Sequence, residues 1–314
     1  MSSHQPSLLI FVLALLFLSG CNEQGQQPEQ LSEKGVISVV DSEGNRIELA
    51  KPAQRIIALA PHAVENAFSA GAGEQLVGAV AFSNYPEAAT KLPIVGGYKN
   101  LNIERIIELK PDLILAWGSG NSHNSYQRLK ELGFTVYVNE PSDLEDVVKS
   151  IRDIGVLSGN QETANQIAGE YLTKLNSIKA RYQDKQKLTT FYQVWNQPLR
   201  TINGKHVISD AMRICGGINI YHDEIPLAPT INIESILEHN PSVIFASGMS
   251  DSKPEWLEDW KQWPSLQAVQ QDNLFFVPPD HIQRHTVRLL LGIESICQQL
   301  DIARQRYQDN DKTQ

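Results

Sequence analysis

NIERIIELKPDLILAWG (102–118) and NIESILEHNPSVIFASG (232–248) decide how this chain of 314 residues folds. The two stretches lie 130 residues apart and agree at nine of seventeen positions. Each opens on Asn-Ile-Glu. The Asn suits a helix N-cap, and a Glu in the first turn suits the positive end of the helix dipole. Each helix should stop at a Pro, Pro111 or Pro241, and give way to a continuous apolar strand that carries an Ala near its end. Two copies of one helix–strand unit imply two similar lobes and not a solenoid.

Working outward, ISVVDSEGNRIEL (37–49) reads as a hairpin around Ser42-Glu43-Gly44-Asn45. RIIALA (55–60) and QLVGAVAF (75–82) read as strands flanking a helix over 64–73. A helix over 126–133 and a strand over 134–139 follow the first repeat. Alternating strands and helices predict an α/β fold of parallel sheets covered by helices. Residues 157–184 hold no Pro, and Ala164, Ile167, Ala168, Tyr171, Leu172, Leu175 and Ile178 fall at helical spacing. The expected layout is an N-terminal lobe over 36–156, one long interlobe helix over 157–185, a C-terminal lobe over 186–305 and a polar tail over 306–314. Trp256, Trp260 and Trp263, spaced four then three, read as a packing face.

Twenty-seven Lys and Arg against 36 Asp and Glu leave a net charge of −9, which argues against a general nucleic-acid binder. The sequence holds no HExxH, no GxSxG, no phosphate-binding glycine loop and no paired catalytic carboxylates. The expectation is a binding protein, not an enzyme, acting as a monomer without a resident cofactor.

LLIFVLALLFL (8–18) is shorter than the roughly 20 residues that span a bilayer and matches the apolar core of an export signal. Leu18-Ser19-Gly20-Cys21 follows and resembles a lipobox, so residues 1–20 read as a lipoprotein signal peptide and Cys21 as the lipidated residue. Residues 21–35 read as a polar tether. Contact with the membrane is then by the lipid anchor alone, in the periplasm or cell envelope. Export leaves Cys215 and Cys297 as an even pair in an oxidising compartment. A disulfide between them is expected, with two separate buried thiols as the alternative.

With SNYP (83–86) after Phe82, NLNIERIIELKPDLILAWGSGN (100–121), CGGINIY (215–221) and Asp280 through Arg284, the chain resembles the substrate-binding proteins of ABC importers for vitamin B12, siderophores and haem. SNYP and AWGSGN are the segments most like the cobalamin branch. The resemblance implies two αβ lobes joined by a rigid helix, and a ligand, cobalamin, held between them. It implies a partner in an ABC permease dimer with its ATPase subunits. Phe82, Tyr98 and Trp117 match the family's aromatic pocket, with Trp195 as a further ring, and Asp280 and Arg284 match polar positions near the cleft. Ala228 stands where the branch often carries a tryptophan. Glu104 and Glu234 match glutamates that dock on the permease, one per lobe. The cysteine pair matches the branch's disulfide, which favours that reading. His62, after Pro61, is expected on a loop facing the cleft, where an imidazole would suit an axial bond to the ligand's cobalt.

Two other readings compete. Haem or a ferric siderophore would give His62 and Tyr98 to iron. A zinc site or metallohydrolase would gather His62, Asp280, His281 and His285, the last two spaced for one helix face.

Overall fold

The computed structural model describes residues 36–248 and 254–311. The expected signal peptide over 1–20, Cys21 and the whole tether over 21–35 lie outside the described residues. The N-terminal half contains β1 (Ile37–Val40), β2 (Arg46–Leu49), β3 (Ile56–Ala58), α1 (Pro61–Ser69), β4 (Leu76–Ala79), α2 (Ile103–Leu109), β5 (Leu113–Trp117), α3 (His123–Glu131), β6 (Val136–Asn139) and α4 (Asp146–Ser158). After α5 (Gln161–Tyr182) come β7 (Leu188–Gln193), α6 (Val207–Ile214), β8 (Gly217–Asn219), α7 (Ile233–His239) and β9 (Val243–Ala246). The chain continues through α8 (Gln267–Gln270), β10 (Leu274–Phe276), α9 (Pro279–Ile282) and α10 (Leu289–Asp311).

The expected hairpin forms, with Ile37 opposite Leu49 in the antiparallel pair β1–β2. Asp41 closes it by accepting from the backbone N–H groups of Glu43 and Asn45 at 3.0 and 2.8 Å.

Two four-stranded parallel sheets carry the rest, in the orders β4-β3-β5-β6 and β10-β9-β7-β8. Read from its other edge, the second sheet is β8-β7-β9-β10. It therefore repeats the first strand for strand, with β7 in the place of β3, β8 of β4, β9 of β5 and β10 of β6. The repeated sequence lies at α2–β5 and α7–β9 in this frame. Asn102 and Asn232 cap their helices by accepting from the N–H groups of Arg105 and Ser235 at 2.9 and 2.8 Å. Both helices end in the left-handed region, at Lys110 (φ 46°) and Asn240 (φ 44°), one residue before the Pro. Residues 113–116 and 243–246 are buried, as strands covered on both faces require.

The long helix is shorter than expected. The chain breaks at Gly159, whose φ of +78° ends α4, and α5 begins at Gln161. At the other end the expected tail is helical through residue 311, because α10 continues past 305. There Tyr307 donates from its hydroxyl to Ser242 O at 3.2 Å. The pairing of His281 with His285 on one helix face also fails: α9 stops at Ile282 and Gln283 caps it.

The described residues pack as one unit. Its main apolar cluster runs from Val39 and Ile56 through Ala164, Leu175 and Ile178 of α5 to Phe245 and Cys297. Cys215, at the end of α6, and Cys297, on α10, form a disulfide buried in that cluster with Cα atoms 4.8 Å apart. Trp260 lies in a 3-10 stretch over Glu255–Gln262. It is buried in a second-lobe cluster, with Trp256 and Trp263 packed against it.

Candidate functional site

All strands of a parallel sheet end on one edge, and ligands gather there where the strand order reverses. In the first sheet that point lies between β3 and β5, in the second between β7 and β9. The segments after β3 and β4 carry His62 and Phe82, and Trp117 is the last residue of β5. The segments after β7 and β10 carry Trp195 and Asp280.

Three of the first-lobe residues form a contiguous group. The Trp117 ring lies 5.1 Å from the His62 ring, edge-on, and 5.9 Å from Tyr98. Asn121, itself buried, builds this arrangement. Its side chain accepts from Trp117 N at 2.7 Å and donates to Leu59 O at 2.8 Å and Tyr98 O at 2.7 Å. Gly120 makes room for the indole, because a Cβ there would sit 1.8 Å from Trp117 Cε3. In the sequence Asn121 is only the last residue of AWGSGN (116–121), and nothing there marks its role.

His62 is not the loop residue expected. It is the second residue of α1 and 3 % exposed, between Trp117 and His285. Burial, helped by the charges of His285 and Arg284, pushes its imidazole down to about 3. Its ring is therefore neutral, and Nε2 is buried without a hydrogen-bond partner. His285 continues the cluster toward His206, with ring centroids 6.5 Å apart. Burial lowers His285 to about 4 against the opposing pull of Asp146, and lowers His206 to about 3. Among the described residues, no group of three or more His, Cys, Asp or Glu side chains is placed to hold a metal ion.

Phe82 is 76 % exposed and Trp195 41 %. Trp195 donates from its indole N–H to Gln197 O at 2.9 Å. Phe82 has a φ of +67°, in the left-handed region that a bulky residue rarely adopts. The topological counterpart of its segment, after β8, presents Ile225 at 94 % exposure and Leu227 beside Ala228. That segment is pinned by buried Asn203, which donates from its side chain to Glu224 O and from its backbone to Leu227 O. Nothing in the sequence pattern marked Ile225, Leu227 or Asn203.

Asp280 and Arg284 do pair, at 2.8 Å, but within a larger cluster. Glu65 of α1, 2 % exposed, accepts from Arg284 Nη1 and Arg288 Nη2, each at 2.7 Å, and from Arg288 Nε at 3.0 Å. Burial lowers the Arg288 guanidinium, and the hydrogen bond and charge of Glu65 more than offset that, so its pKa rises. Asn66 Nδ2 also crosses between the halves, to His285 O at 2.9 Å. Glu65 and Arg288 were absent from the sequence reading because their partners lie more than 200 residues away.

Glu104 and Glu234 hold equivalent second positions in α2 and α7, both exposed. Two cavities lie apart from the expected cleft residues. One, of about 500 Å³, is lined by Trp256, Trp263, Asp259 and Glu234. The other, of about 580 Å³, lies by β8 with Lys187 and His222.

The sequence profile described as "periplasmic binding protein" matches residues 56–281. The vitamin B12-binding protein of Vibrio cholerae is 37 % identical over 262 residues, 82 % of this chain and 94 % of that protein. The crystal structure of the periplasmic vitamin B12 binding protein BtuF of Vibrio cholerae superposes with a TM-score of 0.75 at 35 % identity, covering 81 % of this chain and 98 % of that one. The periplasmic heme-binding protein RhuT from Roseiflexus sp. RS-1, at 17 % identity and a TM-score of 0.71 over 80 % of this chain and 99 % of that one, shares the fold.

Proposed function

This chain belongs to the periplasmic binding protein family, and on that premise we propose that it captures cobalamin between its two lobes and delivers it to an ABC permease. The supporting observation is its likeness to vitamin B12-binding proteins along nearly their whole length. Those relatives are binding proteins and not enzymes.

In this reading Trp117 and Tyr98 offer flat apolar area to the corrin, held in place by Asn121. Phe82 and Trp195 complete the rings, and Ile225 and Leu227 supply the second-lobe wall beside Ala228. A well-packed aromatic contributes ~1.5–3 kcal/mol through burial. Asp280, braced by Arg284, meets the amide-bearing rim. In this reading His62 supports Trp117 by packing and does not bind cobalt, because the residue and its Nε2 are buried. Glu104 and Glu234 meet cationic groups on the two permease subunits, where exposed ion pairs serve orientation and encounter more than affinity. Lipidation at Cys21 anchors the protein in the envelope.

Calorimetry of residues 35–314 with cyanocobalamin, haemin and a ferric hydroxamate siderophore tests the reading. One-site binding of cyanocobalamin alone is expected. Binding of haemin or the siderophore, with none of cyanocobalamin, overturns it. The visible spectrum of bound aquocobalamin should be the same for the wild type and His62→Ala. A difference between them would restore the axial bond.

A further inference from the structure

We propose that Arg284 and Arg288 are positioning residues for Phe82: guanidiniums from the second lobe hold segment 82–85 of the first, and so set where this exposed ring meets ligand. The ligand itself rests on the function proposed above. The placement rests on contacts within the protein.

Segment 82–85 has little of its own to fix it. Its flanks are tied, by Ala81 N donating to Gly96 O at 2.9 Å and Ala89 N to Pro86 O at 2.8 Å. Between those points, among the described residues, 82–85 make no backbone–backbone hydrogen bond. The Phe82 ring reaches no core cluster and its φ is unfavourable. Ser83 is buried, and the side-chain hydrogen bonds that hold the segment come from the other lobe. Arg284 Nη1 donates to Asn84 Oδ1 at 2.7 Å, and Nη2 donates to Phe82 O at 3.3 Å. The Arg288 guanidinium stacks on the Tyr85 ring, 4.0 Å from its centroid.

Those same guanidiniums are fixed by Glu65 and Asp280. Arg284 is 12 % exposed, and both its terminal nitrogens already donate to protein oxygens. Its chemistry is that of a tie between lobes, not of a free ligand contact. Phe82 thus belongs to the first lobe by sequence and takes its position from the second.

Asn84→Ala is the sharpest probe, because it removes the shortest hydrogen bond to the segment while Arg284 keeps Glu65 and Asp280. Two readouts are needed. In the ligand-free protein, amide hydrogen exchange over 81–89 should accelerate in Asn84→Ala while the thermal midpoint stays unchanged. Cyanocobalamin affinity should fall about tenfold, the upper end of the cost of ordering a loosened side chain on binding. In a Phe82→Ala background the same substitution should cost nothing further. Asn84→Asp, which keeps the acceptor, should restore both affinity and protection. Unchanged exchange overturns the proposal, as does an equal affinity loss with and without Phe82. If the wild type binds no cyanocobalamin, the function above fails, and the exchange measurement still decides the positioning.

Discussion

Replacing Glu65 with Gln should destabilise the protein by about 3 kcal/mol, the low end for breaking a buried ion pair by removing one partner. The cluster holds two guanidiniums, Arg284 and Arg288, and two carboxylates, Glu65 and Asp280, so it is neutral as built. Glu65 accepts from both arginines at 2.7 Å and is 2 % exposed, while the two arginine side chains are 12 and 13 % exposed. Gln fills the same volume but removes one negative charge, leaving a net positive charge away from water. Arg288 suffers most, because its remaining carboxylate, Asp280, lies 3.8 Å away. Urea unfolding would show the loss as a lower midpoint at an unchanged slope. Glu65→Gln combined with Arg288→Gln restores neutrality, so the pair should cost about 1–3 kcal/mol less than the two single losses added together. A Glu65→Gln variant within about 0.5 kcal/mol of the wild type, the range of ordinary surface changes, would show that the cluster is solvated and the reasoning mistaken.

Two other predictions follow from buried groups. The disulfide closes a separation of 82 residues, so chain entropy assigns its loss about 4.5 kcal/mol; denaturant unfolding of Cys215→Ala/Cys297→Ala measures this, and a change under about 1 kcal/mol would contradict it. His62, His206 and His285 lie below the ordinary value of 6.5, at about 3, about 3 and about 4. Below pH 6.5 the unfolded chain therefore takes up protons that the folded chain refuses, and stability should fall steadily as pH drops from 6.5 toward 4. His285→Gln should flatten the thermal midpoint's decline over that window, and an unchanged slope would remove His285 as a cause of it.

The frame of this protein was legible from sequence because local chemistry sets it. The Asn caps, the Pro stops and the apolar runs over 113–116 and 243–246 act within a few residues of themselves. The hairpin at 37–49 and the helical phase over 161–182 are local in the same way. Boundaries failed where a single backbone conformation decided them, as at Gly159, or where packing extended a polar-looking segment, as at Tyr307. The site was legible only by residue type. Phe82, Trp117 and Asp280 stand at strand ends, and the rings at 98 and 117 do meet. Their supports were invisible. Asn121, Asn203 and Glu65 are polar residues of a common kind whose meaning comes from what the fold brings to them, in the case of Glu65 from 219 and 223 residues away.

The duplication itself explains why the frame and the site differ in this way. Both sheets have one topology, so each strand end on one lobe has a counterpart on the other. Along the repeat, the Asn cap, the first-turn Glu, the Pro and the strand's Ala are kept in both copies. Trp117 and Ser247, at the ends of β5 and β9, are not. The same divergence separates Phe82 from the Ile225 segment after β4 and β8, and Glu140 from Asp280 after β6 and β10. Helix caps and buried strands stabilise either lobe in the same way, so the frame has the same needs in both copies. The strand ends bear no such shared constraint. In the function proposed above, a ligand with an apolar face and a polar rim presents different chemistry to the two lobes, and the copies differ at these strand ends, with Phe82, Tyr98 and Trp117 on the first and Trp195 and Asp280 on the second. The tie from Glu65 to Arg284 and Arg288 then fixes these unlike halves to each other, so that a ring from the first lobe takes its place from charges on the second.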